Sequence, residues 1–371
     1  MGRIVQIYFI PAAVFLSVII GGGYGTGREI VQFFTQYGPL GGLFAIVTAG
    51  LIFALVLGAT FEFARVFRVY DYRSFFEELI GPFWIVFEIL YVLLFLLVLG
   101  VVSAAAGDTL EQRFGIPATV GLIAMPLLVA SFVLFGRLMV EKALALWSVV
   151  MYAVFITYFV CVVLQADASL FDREHIYEVK SGWLLGGSLY AMYNLAIAPG
   201  LLFATRAIET RRQAFLSAAI ASVAILVPAL LFHVSYTVGY PQVLDEALPN
   251  YWMINRFAPD WLLIIFVLAL FGTLIETGVG LVQSLVERLP KDKTDGEEVA
   301  MWKRAVISLS TVSLAAVLGT LGIVSLIGKG YTVMSYGFAL VYVIPVCTLG
   351  IYKFINKAAE KEKASQQGRM V

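Results

Sequence analysis

Charged side chains are scarce in this sequence, and neither sign of charge prevails. Asp, Glu, Lys and Arg make up 13% of the 371 residues, whereas an ordinary soluble domain has about 25%. The 25 basic side chains are matched by 25 acidic ones, so no excess of positive charge is present to attract a phosphate backbone. Nucleic acid is therefore excluded as a predicted partner.

Cysteine and histidine are also rare, with two residues of each. Cys161 and Cys347 both lie in apolar segments, and their spacing predicts neither a disulfide framework nor a metal site. The sequence also lacks a P-loop lysine motif and a Ser/His/Asp arrangement. We therefore predict that the protein is not an enzyme and has no cofactor.

Long apolar runs are what the sequence has in abundance, and apolar residues make up 61% of it. A segment of about 20 predominantly apolar residues can span a bilayer as a helix. We identify about ten such segments, so the sequence predicts an all-α membrane protein whose surroundings are the lipid bilayer. The predicted spans are residues 4–35, 40–66, 82–110, 117–138, 142–165, 182–207, 213–239, 260–287, 304–327 and 331–355.

The distribution of Lys and Arg between the loops predicts the orientation, because cytoplasmic loops carry an excess of both. With the N-terminus inside, 19 of these side chains fall on the cytoplasmic side and five on the opposite side. Arg28 is set aside because it lies within the first span. We therefore predict an integral protein of the cell membrane with both termini in the cytoplasm.

The first span is interrupted by a glycine-rich run, Gly21 to Glu29, which contains an adjacent Arg–Glu pair. Each glycine weakens a helix by about 0.5–1 kcal/mol. Non-helical backbone at membrane depth is tolerated only where protein buries it or where it lines a cavity. The run therefore predicts a broken helix beside a binding site.

A second interruption, Tyr193 to Gly200 with Pro199, lies at the equivalent place in the sixth span. Two longer connections, Val69 to Gly81 and Pro241 to Asp260, read as amphipathic helices at opposite membrane faces. Together these features predict two inverted repeats of five spans, residues 1–166 and 167–356, followed by a cytoplasmic tail, residues 357–371. Paired broken helices in such repeats are typical of a substrate site near the membrane midplane.

Three short motifs resemble the YkvI-like membrane proteins. In the first span, Gly23 to Phe34 is similar to the signature Gly-Ala-Gly-Phe-Ala-Ser-Gly-Gln-Glu and the Ile, Gln and Phe-Phe pattern that follows it in that family. Tyr190 to Leu195 in the sixth span and Thr277 to Gly280 in the eighth also resemble it. Arg28 stands where a Gln is usual, and Glu276 where a Thr is expected.

This resemblance implies the LeuT fold of the amino acid–polyamine–organocation superfamily. That fold has a five-plus-five inverted repeat with helices 1 and 6 broken at the midplane. The resemblance further implies a carrier that is coupled to Na⁺ or H⁺. It implies no particular substrate.

The glycine run and the second break supply the predicted substrate site. Amide groups at the start of the outer half-helix, around Thr26 to Glu29, would suit a carboxylate. Arg28 could bind a substrate carboxylate bidentately, or Arg28 and Glu29 could instead form a gating network of ion pairs in the outer vestibule. Asn194 and Tyr193 would suit a small polar organic molecule. The predicted substrate-binding residues are Gly23, Tyr24, Gly25, Thr26, Gly27, Arg28, Glu29, Tyr193 and Asn194.

A cation site is predicted between the first and eighth spans. Thr273, Glu276 and Thr277 follow an i, i+3, i+4 spacing and so share one helical face. Their oxygens would join the carbonyl groups of Gly21 and Gly22 around the coupling ion. A carboxylate at Glu276 would either strengthen Na⁺ binding by its charge or carry a proton itself.

These features predict a cation-coupled secondary transporter of a small polar solute, either an amino acid or a related zwitterion or amine. The mechanism would be alternating access, and the protein would act as a monomer or a homodimer. Two alternatives stay open: a transporter-like membrane sensor, and a channel, which the inverted repeat fits less well.

Overall fold

The structure is a computed structural model that describes residues 2–19, 21–135, 137–165, 174–286, 288 and 301–357. These residues form helices and connecting turns, with no β-strand among them. The predicted boundary between the repeats, at residues 166 and 167, and the tail beyond residue 357 lie outside the described residues.

The helices are numbered in chain order. The first span is preceded by a π-helical turn, Val5–Phe9, and the last is π-helical in parts. The helices are α1 Ile10–Ile19, α2 Gly22–Thr26, α3 Arg28–Phe33, α4 Pro39–Phe67, α5 Tyr72–Ile80, α6 Trp84–Phe114, α7 Ala118–Phe135, α8 Arg137–Gln165, α9 Trp183–Leu195, α10 Arg211–Val238, α11 Pro249–Phe257, α12 Asp260–Val286, α13 Met301–Gly319 and α14 Ile323–Lys357. A 3₁₀ helix, Ala198–Thr205, follows α9.

Within the described residues, six helices are long and apolar enough to cross a membrane. The pair formed by α9 and the 3₁₀ helix, bent by 63°, makes a seventh span. Three shorter apolar helices, Val5–Ile19, Ala118–Leu134 and Val150–Gln165, occupy predicted spans of the first half. An all-α membrane protein is thereby confirmed, while the number of ten spans and the inverted repeat stay predictions.

The first span is interrupted at two places within the predicted run. Gly21 is extended, with φ −106° and ψ −161°, and it separates α1 from the single turn of α2. Gly27 then adopts the left-handed conformation, φ 81°, between α2 and α3. A side chain at position 27 would be strained by this φ, and its Cβ would also lie 1.9 Å from the Tyr236 hydroxyl.

The second break lies where the sequence predicts it. Helix α9 ends at Leu195, and the 3₁₀ helix starts with Pro199 in its first turn. The two longer connections contain short helices, as expected: α5 in the first half and α11 in the second. Asp71 caps α5 by accepting a hydrogen bond from the Ser74 backbone N–H at 2.9 Å, a standard way of satisfying a free helix terminus.

The long helices surround the two broken spans. Helix α4 packs against α9 and α10, and α6 packs against α7 and α13. Helix α12 packs against α7 and α8 and also contacts the short helix α2. The interrupted backbone is therefore enclosed by protein, which is the condition for its existence at membrane depth.

Candidate functional site

A cavity of about 740 Å³ lies beside both breaks. Its walls come from the first span, α6, the α9 break, α12 and α14. At one end it is lined by Gly21, Gly23 and Asn194, which lie at the breaks. At the other end it is lined by Tyr72 on α5 and by Arg288, just beyond α12. The second end faces the side of the membrane that carries the N-terminus, which is the predicted cytoplasmic side.

Eight predicted site residues line this cavity: Gly21, Gly23, Glu29, Tyr193, Asn194, Thr273, Glu276 and Thr277. They include both the substrate and the cation candidates, so the structure brings the two predicted sites into one space. Five predicted substrate residues are not in its walls: Tyr24, Gly25, Thr26, Gly27 and Arg28. Gly22, predicted as a cation ligand, begins α2.

The carboxyl group of Glu29 connects the two broken spans. Its side chain is buried, and the Tyr193 hydroxyl donates a hydrogen bond to its Oε2 at 2.5 Å. Its Oε1 lies against Gly23, where an added Cβ would be only 2.0 Å away. The carboxyl group therefore occupies the place of a side chain at position 23, and a larger residue there would have to displace it.

The predicted cation face of α12 lies against the first break. A Cβ at Gly21 would be 3.2 Å from the Thr277 hydroxyl oxygen. Thr273 is buried and donates a hydrogen bond to the Ala269 carbonyl at 3.0 Å. Because Glu276 lines the same cavity, the oxygens expected to bind a cation are grouped at one place.

Arg28 lies outside the cavity, against the loop that precedes α11. Its guanidinium group donates hydrogen bonds to the Leu244 carbonyl at 2.7 Å and the Glu246 carbonyl at 3.0 Å. The Arg28 side chain is 8% exposed. This geometry places the guanidinium group on backbone carbonyls of the loop before α11 and outside the walls of the cavity.

Two of the amide groups at this break, where a carboxylate is expected to bind, donate hydrogen bonds within the turn itself. The backbone N–H of Gly27 donates to the Tyr24 carbonyl at 3.1 Å, and that of Arg28 donates to the Thr26 hydroxyl at 3.3 Å. The Thr26 hydroxyl in turn donates to the Gly23 carbonyl at 2.7 Å. The turn is satisfied internally, so these two donors do not face a ligand.

Asn250 on α11 binds two carbonyl groups beside the Gly27 break. Its side-chain amide donates to the carbonyls of Tyr24 at 3.2 Å and Gly25 at 3.0 Å. Its oxygen accepts from the Tyr236 hydroxyl on α10. Helix α11 thus caps the interrupted span in place of water, and it closes the outer side together with Arg28.

One acidic group of this outer closure has a raised pKa. Burial raises the pKa of the Glu246 carboxyl, and the nearby charge of Asp245 raises it further. Glu246 therefore loses its negative charge at a higher pH than an ordinary glutamate as the pH falls.

Several cavity residues have no distinctive sequence pattern and were not predicted. Tyr331 on α14 lines the cavity, with its ring centroid 4.7 Å from that of Tyr193. Arg288 pairs with Glu88, Nε to Oε1 at 2.7 Å, and its guanidinium lies 5.3 Å from the ring centroid of Tyr91. The sequence signal for Arg288 is a basic residue that directly follows an apolar span. The general excess of Lys and Arg in cytoplasmic loops explains such a residue equally well, so it does not indicate a cavity.

No family model matches the chain. Its sequence is similar to that of the uncharacterized membrane protein YkvI from Bacillus subtilis (strain 168), with 25% identity over 202 residues. The match covers 52% of this chain and 55% of that protein, about half the length of each. The predicted resemblance to YkvI-like membrane proteins is thereby confirmed.

Two transporter structures resemble the chain over most of its length. A manganese transporter mutant from Eremococcus coleocola has a TM-score of 0.53 and 15% identity, over 92% of this chain and 78% of that one. A Na⁺-coupled sialic acid symporter in a substrate-bound outward-open state has a TM-score of 0.47 and 11% identity, over 92% and 87%. The first likeness establishes the fold as that of a helical membrane transporter.

Proposed function

We propose that the protein is a cation-coupled secondary transporter of a small polar organic solute. The solute class is amino acids and related zwitterions or amines, and the coupling ion is Na⁺ or H⁺. The observation that carries the proposal is the cavity between two broken spans, closed on one side by Arg28 and Asn250 and extending toward the other. Substrate sites of secondary transporters are built at such paired breaks.

Alternating access follows from the same contacts. To open the opposite side, the bonds from Arg28 to the Leu244 and Glu246 carbonyls must break, as must those from Asn250 to the first span. The cytoplasmic end of the cavity would close in exchange. A bound solute and ion shift this equilibrium by as much as their affinities for the two states differ.

The coupling ion is assigned to the face of α12 that meets the first break. Two threonine hydroxyls and the Glu276 carboxyl line the cavity there, beside Gly21. Hard oxygen ligands of this kind suit Na⁺, and a carboxylate within the membrane is equally able to carry a proton. The Glu276 carboxyl is therefore the group on which the coupling of transport to the ion depends.

Transport into proteoliposomes tests the proposal. The purified chain is assayed with a panel of amino acids and amines under a Na⁺ gradient, a H⁺ gradient, and neither. We expect uptake that one gradient drives, and at least a tenfold loss of gradient-driven uptake in Glu276→Gln. Glu77→Gln, at an exposed site on α5, is the matched control and should transport normally. Coupled uptake that is unchanged in Glu276→Gln would refute the ion assignment.

Counterflow separates this function from that of a transporter-like sensor. A carrier exchanges internal for external solute without any gradient, whereas a sensor only binds it. The manganese of the neighbouring structure is not proposed for this chain. Among the residues that the structure describes, no group of three or more His, Cys, Asp or Glu is placed to hold a metal ion.

A further inference from the structure

The deep end of the cavity combines an acidic group with aromatic rings. Glu29 is 6% exposed and lines the cavity. None of the ion pairs between described residues includes it. It is held by a hydrogen bond from a tyrosine and faces a space large enough for an organic molecule. This acidic side chain is therefore available to a ligand.

The rings beside Glu29 come from the second broken span and from α14. Tyr193 and Tyr331 both line the cavity, and their ring centroids are 4.7 Å apart. The Tyr331 hydroxyl lies 3.7 Å from the position of a Cβ on Gly23, which is also where the Glu29 carboxyl lies. Carboxylates attract cations directly, and the faces of tyrosine rings attract them through the ring quadrupole.

Basic side chains are kept away from this end. Arg28 follows Gly27 and donates to loop carbonyls outside the cavity. Arg288 lines the cavity at its opposite end, where it pairs with Glu88. At the Glu29 end, a ligand carboxylate would thus meet a like charge. No described arginine or lysine lines the walls at that end. A ligand cation would meet an opposite charge.

The remaining walls are largely apolar. Leu94, Val98, Ile197, Leu201 and Leu281 line the cavity between its two ends. A bare ion would gain nothing from such walls, whereas an organic body would be buried against them. The volume of about 740 Å³ falls within the range of about 300–1,000 Å³ that is usual for small-molecule sites.

We infer that Glu29, Tyr193 and Tyr331 form an ammonium-binding site, and that the ligand is an organic amine cation with an apolar body. This deepens the proposed function and rests on it, since it narrows the solute class from zwitterions and amines to cationic amines. The residues of this site are different from those on the face of α12 assigned to the coupling ion, although both groups line the same cavity. A carboxylate on the ligand is not required, because Arg28 is engaged elsewhere.

Binding to four ligands of matched shape tests the inference. The probes are phenethylammonium, its neutral analogue 2-phenylethanol, the zwitterion phenylalanine and the anion 3-phenylpropionate. Each is titrated calorimetrically into the purified full-length chain at one pH, with and without Na⁺. We expect phenethylammonium to bind at least tenfold more tightly than the other three. Equal affinity for the alcohol, tighter binding of phenylalanine, or no binding of the amine would overturn the inference.

Variants assign the effect to the site. Glu29→Gln keeps the shape and the hydrogen-bond acceptor, and it should weaken amine binding at least tenfold. Tyr331→Leu should weaken it several-fold while leaving the carboxyl in place. Glu77→Gln on α5 is the control and should bind normally, and gel filtration confirms that each variant is folded. Unchanged amine binding in Glu29→Gln would refute the assignment.

The two proposals fail in different ways. Amine binding that depends on Glu29, without counterflow of any solute, would support the ammonium site and refute the transporter. Gradient-driven uptake of phenylalanine, with no amine binding, would support the transporter and refute the ammonium site. Glu276→Gln should lose coupled uptake yet keep its affinity for phenethylammonium, because the two acidic groups serve different cations.

Discussion

At the scale of single residues, the position of the Glu29 carboxyl depends on the absence of a side chain at Gly23. The Glu29 carboxyl occupies the place where a side chain at position 23 would stand. The absence of a side chain at Gly23 leaves the space in which the carboxyl lies against the interrupted backbone while it accepts the hydrogen bond from the Tyr193 hydroxyl. The glycine run is therefore more than a weak point in a helix, since one of its members makes room for a charged group.

A substitution at this position tests that relation. In Gly23→Ala, the Cβ would lie 2.0 Å from Oε1 of Glu29, so the carboxyl must move or the backbone must shift. Overpacking of this kind costs about 1–3 kcal/mol. We expect the apparent melting temperature in detergent to fall by about 3 °C or more.

Gly280→Ala is the matched control. Gly280 also lines the cavity, but a Cβ there would have no atom within 4 Å. Alanine is the better helix former, so the melting temperature should stay the same or rise. An equal loss of stability in both variants would contradict the tight fit at Gly23.

At the scale of elements, the outer closure depends on α11 and the loop before it. Arg28 binds the carbonyls of Leu244 and Glu246, and Asn250 binds those of Tyr24 and Gly25. Hydrogen bonds to a charged group contribute about 1.5–3 kcal/mol each. These contacts exist only while the outer side is closed, so they bias the protein toward the state in which the cavity opens to the cytoplasm.

Removing the Arg28 contacts should therefore shift the protein toward the outward-facing state. In Arg28→Met, two hydrogen bonds are lost while the unbranched stem of the side chain is largely kept. The reporter is Ser17→Cys, at an exposed cavity position below the first break, in a background with Cys161 and Cys347 replaced by serine. We expect its labelling by a maleimide to slow by about fivefold or more, since a shift of 1.4 kcal/mol already changes an equilibrium tenfold.

Arg256→Met provides the comparison for this experiment. Arg256 is an exposed arginine on the same outer helix α11, and its guanidinium lies 5.4 Å from the Trp252 ring centroid. Its guanidinium lies over aromatic rings of α11 itself and not against the first span, so labelling of Ser17→Cys should be unchanged. If both arginine variants slow labelling equally, Arg28 has no particular role in outer closure.

At the scale of the whole molecule, the fold is a set of long helices around two interrupted ones. The long helices bury the interruptions, and the interruptions provide the polar groups of the cavity. The excess of Lys and Arg on the side of the N-terminus predicts which end of the cavity faces the cytoplasm. With that orientation, the side closed by Arg28 and Asn250 is the outer side, and the opposite end of the cavity is the cytoplasmic one.

Accessibility of single cysteines tests the orientation. Tyr177, 70% exposed before α9, lies on the side opposite the N-terminus, and Arg212, exposed at the start of α10, lies on the N-terminal side. In the cysteine-free background, a membrane-impermeant maleimide should label Tyr177→Cys in intact cells. Arg212→Cys should be labelled only after the membrane is permeabilised. The reverse pattern would invert the predicted topology.

The sequence by itself determined the all-α membrane class, the two breaks and the short helices α5 and α11. These features depend on local properties: the apolar length needed to cross a bilayer, and the cost of unpaired backbone in lipid. Tyr331 could not be found in this way, because aromatic residues are 14% of the chain and nothing in the sequence distinguishes this one. Arg288 also lies in no pattern that would indicate a cavity.

Only the tertiary structure decided the roles of Arg28 and Glu29. Adjacent residues on a helix point about 100° apart, so one faces the cavity and the other faces away, but the sequence does not say which. The left-handed turn at Gly27 and the position of α11 fix the rotation of α3, turning Glu29 toward Tyr193 and Arg28 toward the outer loop. That rotation is set by packing between segments more than 200 residues apart in the chain, which no local pattern encodes.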